Sequence, residues 1–412
     1  MDKLRVTKLI GNSPQLETVL FSIFYPAEKG SVSSLPQHLW ISKPIAATAQ
    51  GYARFAHISN FFTNHVFALA LWTLAGRTRI PAKVDVPLLP EGGRFPVIVF
   101  SHGMASSRTD YTQYCSELAS RGYIVAAVEH RDGSCPASTV MRNDGTSKTV
   151  YTIPTSDLKK SPVLDTGIET SEMKEMQLAM RTAEMEEMIR VLQMINAGEG
   201  AGVLKNNPRE EGSTLASWRG RLDMEKLVVG GHSYGATGAL QTLKTGPTKS
   251  LPIHGAIILD PGKSSGPLND DINVPTMIIH SNSWSSKHSV FFGRPHFDVV
   301  KELVEKVAIR GQAAWFFTSL GTSHPSVTDA PIIEPLLLSW TTGSTIDVKE
   351  GVYQYVKATV EFMEFLKTGK RTGLLAQRVT HPMYDEESRT EEGEKKISED
   401  ISRYWQIHVA PS

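Results

Sequence analysis

The chain has 412 residues, 40% hydrophobic and 21% charged, and its 43 Lys and Arg balance 43 Asp and Glu. That length suits one large α/β enzyme domain, and the ordinary composition excludes a disordered or all-membrane chain. Charge balance leaves no overall field to draw in a polyanion, so nucleic acid is not an expected partner; the two cysteines, Cys115 and Cys135, supply neither a disulfide framework nor zinc-ligand spacing.

The first residues, Met-Asp-Lys-Leu-Arg, lack the charged-then-apolar pattern of a signal peptide, so a cytoplasmic location, with peripheral membrane attachment as an option, is expected. Residues 16–25 (LETVLFSIFY) are rich in β-branched and aromatic residues and stop at Pro26, as a strand does. Phe61 to Ala75 (FFTNHVFALALWTLA) is apolar around most of a helix. It is shorter than the ~20 residues a spanning helix needs, so it reads either as a helix lying on lipid or as one packed on the protein body.

From residue 95 the rhythm changes to short continuous apolar runs: 96–100, 123–128, 226–229, 256–259, 276–279 and 315–317. Such runs are the habit of parallel strands covered on both faces, and helical patterns lie between them. In the clearest helix, 172–195, Met185, Met188, Ile189, Leu192 and Ile195 form the apolar stripe, with Glu186, Glu187 and Arg190 opposite. Alternation of this kind predicts a mostly parallel α/β sheet with helices on both faces. Residues 198–220 read as a surface excursion and 385–400 as a charged linker, while Tyr404, Trp405 and Ile407 either dock on the body or fray.

Gly231-His-Ser-Tyr-Gly235 has the Gly-x-Ser-x-Gly pattern, with a strand (227–229) before it and a helix (236–243) after it. Small flanking residues let the chain turn sharply enough to expose the Ser233 hydroxyl at a helix N-terminus. A serine hydroxyl needs a base, and in this order of elements a carboxylate and then a histidine follow at the ends of later strands. Asp260-Pro-Gly stands at the end of the run 256–259, with Asp298 as the fallback in an apparent helix start. Among 13 histidines, His324 follows the last core run, whereas His280 ends an earlier strand and His288 and His296 lie in a polar excursion. Two backbone N–H groups are expected to receive the oxyanion: that of Tyr234 and that of Met104, in the loop Ser101-His-Gly-Met-Ala105. His102 is read as a residue that packs and hydrogen-bonds this loop.

Phe100-Ser-His-Gly-Met104, Gly122-Tyr-Ile-Val-Ala-Ala-Val-Glu-His-Arg-Asp132, Gly231-His-Ser-Tyr-Gly235 and Leu259-Asp260 together resemble the plasma and type II intracellular platelet-activating factor acetylhydrolase family. Val125 to Asp132 is the most specific element, because general lipases and esterases lack it. The resemblance extends from about residue 18 to 370 and implies an α/β-hydrolase fold. It also implies calcium-independent hydrolysis of an acetyl, short or oxidised acyl group at the sn-2 position of a phosphoglyceride. It assigns Ser233, Asp260 and His324 as the triad and Met104 and Tyr234 as oxyanion donors, with no cofactor and no metal. Tyr234 stands where Phe is usual and Met104 where Leu is common, both changes that keep the backbone donor. Segments 263–272 and 283–296 look longer than usual and flank the site, which bears on acyl-chain preference.

The expected division is one catalytic domain over 1–380 and a linker with an aromatic tail over 381–412. Phe61–Ala75 corresponds in position to the family's interfacial helix, which makes Phe62, Phe67, Leu71 and Trp72 candidates for reversible adsorption to a membrane surface. The expected substrate is a phospholipid or small ester. A generic carboxylesterase or polyester hydrolase is the alternative, and an inactive lipid-binding hydrolase fold is a more distant one.

Overall fold

The continuous apolar runs become strands buried on both faces, and each run's alternate residues enter opposite cores. The computed structural model describes residues 16, 18–142, 144–154, 170–286, 290–291, 293–335, 342–384 and 397–412. Eight strands make the main sheet: β1 (Phe21–Phe24), β2 (Phe95–Ser101), β3 (Ile124–Val128), β4 (Leu222–His232), β5 (Ile253–Leu259), β6 (Thr276–Ser281), β7 (Ala314–Ser319) and β8 (Trp405–Val409). Their spatial order is β1-β3-β2-β4-β5-β6-β7-β8. β3 through β7 pair in parallel, and β1 and β8 close the two edges antiparallel.

The principal helices are α1 (Ile45–Phe55), α2 (Phe61–Ala75), α3 (Thr112–Ser120), α4 (Thr170–Met194), α5 (Tyr234–Thr242), α6 (His296–Ile309) and α7 (Val348–Thr368). On one face Val97, Val99, Leu227, Val229, Ile278 and Phe316 pack with Met185, Met188, Ile189 and Leu192 of α4 and with α5 and α6. On the other, Ile98, Phe100, Val228, Met277, Trp315 and Phe317 pack with α3 and α7. Because both faces are covered, polar alternation is absent from these strands. Each fully buried large side chain contributes about 1.5–3 kcal/mol relative to exposure.

One expectation changes and one open alternative is decided. The excursion at 198–220 is anchored, since Leu215 and Trp218 enter the core, Trp218 with its ring edge against Tyr25 at 4.7 Å. The aromatic tail docks: β8 pairs with β7, and the Trp405 indole donates to Gln354 Oε1 at 3.2 Å. The sheet's last strand therefore lies beyond residue 380. Of the charged stretch 385–400, residues 385–396 lie outside the described residues.

α2 spans the expected residues and starts with an Asn60 cap, its side chain accepting the Thr63 N–H at 3.0 Å. It packs on α1 and buries only Ala75 fully. Phe61, Phe62, Val66, Leu69, Trp72 and Leu74 are exposed. Of the four candidates for membrane contact, Phe62 and Trp72 are exposed, whereas Phe67 and Leu71 are half-buried. At ~100° per residue they sit about a quarter-turn or more from the line through Phe62, Val66 and Leu69. Among the described residues no helix is long and apolar enough to cross a membrane.

Candidate active site

Parallel strands end on the same edge of a sheet, so the residues that follow β4, β5 and β7 meet there. Ser233 follows β4 with φ 58° and ψ −122°, a backbone that a non-glycine residue adopts only when its surroundings impose it. Its N–H donates to the Leu259 carbonyl of β5 at 2.9 Å, which anchors the turn. Two residues on, a Cβ at Gly235 would overlap the Ser101 and His102 carbonyl oxygens. The glycine is required because α5 must pass this close to β2.

Asp260 follows β5, also at positive φ (47°), and its N–H donates to the Ile279 carbonyl at 2.8 Å. Its buried carboxylate accepts the Ser281 N–H (2.6 Å) and hydroxyl (2.7 Å). His324 opens a short turn after β7, and its N–H donates to Ser283 Oγ at 2.9 Å. Its ring bridges the other two residues: Nδ1 lies 2.8 Å from Asp260 Oδ2 and Nε2 lies 3.0 Å from Ser233 Oγ. The fallback Asp298 lies in the first turn of α6. His280 ends in contact with Ser285, His296 is buried at the start of α6, and His288 lies outside the described residues.

The loop after β2 approaches Ser233 from the other side. A Cβ on Gly103 would stand 3.1 Å from Ser233 Cβ, so a side chain there would crowd the hydroxyl. The Gly103 N–H donates to Tyr111 Oη at 3.1 Å and the Ala105 N–H to the Ser134 carbonyl at 2.8 Å. Between them the Met104 N–H, like the Tyr234 N–H at the start of α5, makes no hydrogen bond among the described residues. His102 ties the loop down, its Nδ1 donating to the Gly103 carbonyl (2.8 Å) and its Nε2 accepting the His130 N–H (3.0 Å).

Burial pushes the Asp260 carboxyl up, but His232 and His324 beside it outweigh burial and hold it well below the usual carboxylate range. The carboxylate is therefore a fixed negative charge behind His324. His232 is pushed down to about 4 by burial and then by the neighbouring His324, which keeps it neutral. Its Nδ1 accepts from Tyr111 Oη at 2.9 Å, while its Nε2 stops 3.9 Å from Asp260 Oδ2, beyond hydrogen-bond reach. His232, Asp260 and His324 are close enough in space to hold a metal ion. Yet both nitrogens of His324 and both oxygens of Asp260 already have hydrogen-bond partners, so the donor set reads as a proton relay.

Sequence reasoning missed three contributors. Trp284 stacks on His324, His232 lies beneath the triad, and α4 sends Gln177, Arg181 and Glu184 inward beneath the loop that holds Met104. The spacing of Gln177, Arg181 and Glu184 at i, i+4 and i+7 stands in the sequence, but no local signal says that this face of α4 turns inward.

The family model described as platelet-activating factor acetylhydrolase, isoform II, matches residues 7–372. A platelet-activating factor acetylhydrolase of Cavia porcellus is 30% identical over 274 residues, 63% of this chain and 54% of that protein. One of Gallus gallus is 27% identical over 244 residues, covering 57% of this chain and 54% of that protein. In each case the match spans about half the length of the relative. Among solved structures, a ferulic acid esterase from Streptomyces cinnamoneus superposes with a TM-score of 0.52 over 88% of this chain and 86% of its own, at 19% identity. That likeness shows the α/β-hydrolase fold.

Proposed function

The chain belongs to the platelet-activating factor acetylhydrolase, isoform II, family, and on that premise we propose that it is a serine esterase acting at the sn-2 position of glycerophospholipids that carry an acetyl, short or oxidised acyl group. The observation that carries this reading is the hydrogen-bonded chain Ser233–His324–Asp260, flanked by the Met104 and Tyr234 N–H groups, which make no hydrogen bond among the described residues.

In the proposed reaction Ser233 Oγ attacks the ester carbonyl carbon as its proton passes to His324 Nε2. The carbonyl electron pair moves onto oxygen, where the Met104 and Tyr234 N–H groups receive it; loss of one such donor raises the barrier by about 3–4 kcal/mol. The tetrahedral centre collapses to acyl-Ser233, the bond to the glycerol oxygen breaks, and that oxygen takes the proton from His324. Water then repeats the sequence and releases the carboxylic acid. Asp260 keeps Nδ1 protonated and stabilises the imidazolium that forms twice in each cycle. No step calls for a cofactor or metal.

The substrate lies in a lipid surface, and the outer face of α2 suits reversible adsorption to it. Burying Phe61, Phe62, Leu69 and Trp72 in lipid is worth ~6–12 kcal/mol before ordering costs.

Intact-mass analysis after incubation with 2-acetyl and 2-palmitoyl glycerophosphocholine tests the reading. The expected result is an acetyl adduct on the wild type, none on Ser233→Ala, and preference for the acetyl lipid. Turnover retained by Ser233→Ala would end the assignment. Equal use of both lipids, or of simple esters alone, would move it to a generic carboxylesterase.

A further inference from the structure

Gln177, Arg181 and Glu184 recur at i, i+4 and i+7 on α4, and all three are buried. Together they bind the segment 130–134 that follows β3. Glu184 accepts the Arg131 N–H (3.2 Å) and Nε–H (3.0 Å), and its second oxygen lies 2.8 Å from His130 Nδ1. Gln177 Nε2 donates to the Asp132 carbonyl at 3.1 Å, and Arg181 Nε to Asp132 Oδ2 at 2.8 Å. This gives a use to His130, Arg131 and Asp132 of the Glu-His-Arg-Asp run, which the triad left unexplained.

Arg181 reaches further. Its Nη1 donates to the His102 carbonyl at 2.8 Å, the peptide oxygen just ahead of Gly103 and Met104. Its Nη2 donates to Ser134 Oγ at 2.5 Å, and the Ser134 carbonyl holds the Ala105 N–H. Its Cζ also lies 4.3 Å from the centre of the Tyr234 ring, whose hydroxyl donates to Gln177 Oε1 at 2.9 Å. One fully buried guanidinium thus touches both elements that present an N–H to the site: the loop carrying Met104 and the residue carrying the other donor.

From these contacts we infer that Arg181 is a positioning residue that fixes the Met104 and Tyr234 N–H groups relative to one another. The inference rests on the acyl-Ser233 reading above. A desolvated ion pair is a poor way to add stability, because removing two charges from water offsets most of their attraction. Its rigid fork, by contrast, suits the holding of several oxygens at set positions. Donors for a developing oxyanion work only if already in place, within about 0.5 Å. Without the fork the His102 peptide is free to rotate and the Tyr234 ring loses the cation on its face. Substrate still enters, but the anionic intermediate is held less well.

Arg181→Lys keeps the charge and removes the fork; Tyr234→Leu keeps the backbone donor and removes the ring that faces Arg181. Each is measured against wild type for far-UV circular dichroism, kcat, KM and inhibition by a trifluoromethyl ketone. The ketone carbon accepts Ser233 Oγ, the hydroxyl proton passes to His324, and the resulting oxyanion occupies the place of the ester's. The expected result is a folded protein with kcat lowered about 10- to 100-fold and KM within about threefold. Inhibition should weaken by the same factor as kcat/KM, an effect that a merely structural role would not produce.

A folded Arg181→Lys enzyme with wild-type kcat overturns the inference, as does a fall in kcat with unchanged inhibition. Should Arg181→Lys fail to fold, Tyr234→Leu decides on the same readouts; failure of both to fold makes Arg181 a structural cation and overturns it too. Turnover by Ser233→Ala at the wild-type rate would instead strike the acyl-Ser233 reading. The Arg181 inference fails on its own only in an enzyme shown to work through Ser233.

Discussion

Trp284 lies flat against His324, with ring centroids 3.8 Å apart and planes 10° from parallel. The indole is itself fixed, because its N–H donates to the Pro261 carbonyl, one residue past Asp260, at 3.0 Å. The same short segment therefore orients His324 twice, once through the carboxylate and once through the indole. An aromatic face would also favour the imidazolium that the proposed reaction forms at His324. Trp284→Ala should lower kcat about tenfold, the equivalent of ~1.4 kcal/mol, and Trp284→Phe should recover much of it. Wild-type steady-state kinetics in the alanine variant would remove Trp284 from the site.

Asp260→Asn tests the orienting carboxylate. Removing the charge behind Nδ1 leaves the ring in the wrong tautomer, so kcat should fall by about 10³- to 10⁴-fold. Serine labelling by a fluorophosphonate should slow in parallel. A loss of under tenfold would show that another group orients His324.

Gly103→Ala places a Cβ 3.1 Å from Ser233 Cβ, closer than most such contacts in folded proteins. The loop must shift to relieve it and takes the Met104 N–H along. A fall in kcat of roughly 10²-fold, comparable to losing one oxyanion donor, is expected with little change in thermal midpoint. Unchanged kinetics would show that the loop gives way without disturbing the donor.

Stability should depend on acid in a defined direction. Burial pushes His102, His232 and His296 down to about 4 and His408 to about 3, helped by Arg181 beside His102, His324 beside His232 and Lys263 beside His296. In the unfolded chain all four titrate near ~6.5. Between there and about 4 the unfolded state takes protons that the folded state refuses. The stability present above ~6.5 is therefore lost as pH falls, and Asp260, held low, adds to the loss at still lower pH. The urea midpoint should be lower at pH 5 than at pH 7.5. His296→Phe should narrow the gap, since neither ring nitrogen of His296 has a hydrogen-bond partner among the described residues. A flat profile would contradict the account.

The geometry of α2 names the residues for a vesicle assay. Phe62→Asp with Leu69→Asp should abolish co-sedimentation with phosphatidylcholine vesicles and leave hydrolysis of a soluble ester within about twofold, because both side chains face outward. Substituting half-buried Phe67 and Leu71 should destabilise the α1–α2 packing instead. Undiminished vesicle binding by the outer-face variant would exclude α2 as the contact.

The amino-acid sequence by itself determined the strand runs, the Gly-x-Ser-x-Gly turn and the order in which Ser233, Asp260 and His324 follow their strands. Each depends on local signals: uninterrupted apolar residues, small residues beside the serine, and a Pro-Gly turn after the aspartate. Parallel pairing then delivers the strand ends to one edge without further instruction. Tertiary structure alone decided where polar side chains of ambiguous direction would face. Gln177, Arg181 and Glu184 have the spacing of an ordinary wet helix face and turn inward only because the segment 130–134 offers them partners. Trp405 to Val409 becomes an edge strand only because β7 has an open side, and which face of α2 is shielded was decided only by its packing on α1, with Phe67 and Leu71 half-buried and Phe62 and Leu69 exposed. Such choices are made between residues far apart in the chain, where hydrophobic period and local propensity carry no information.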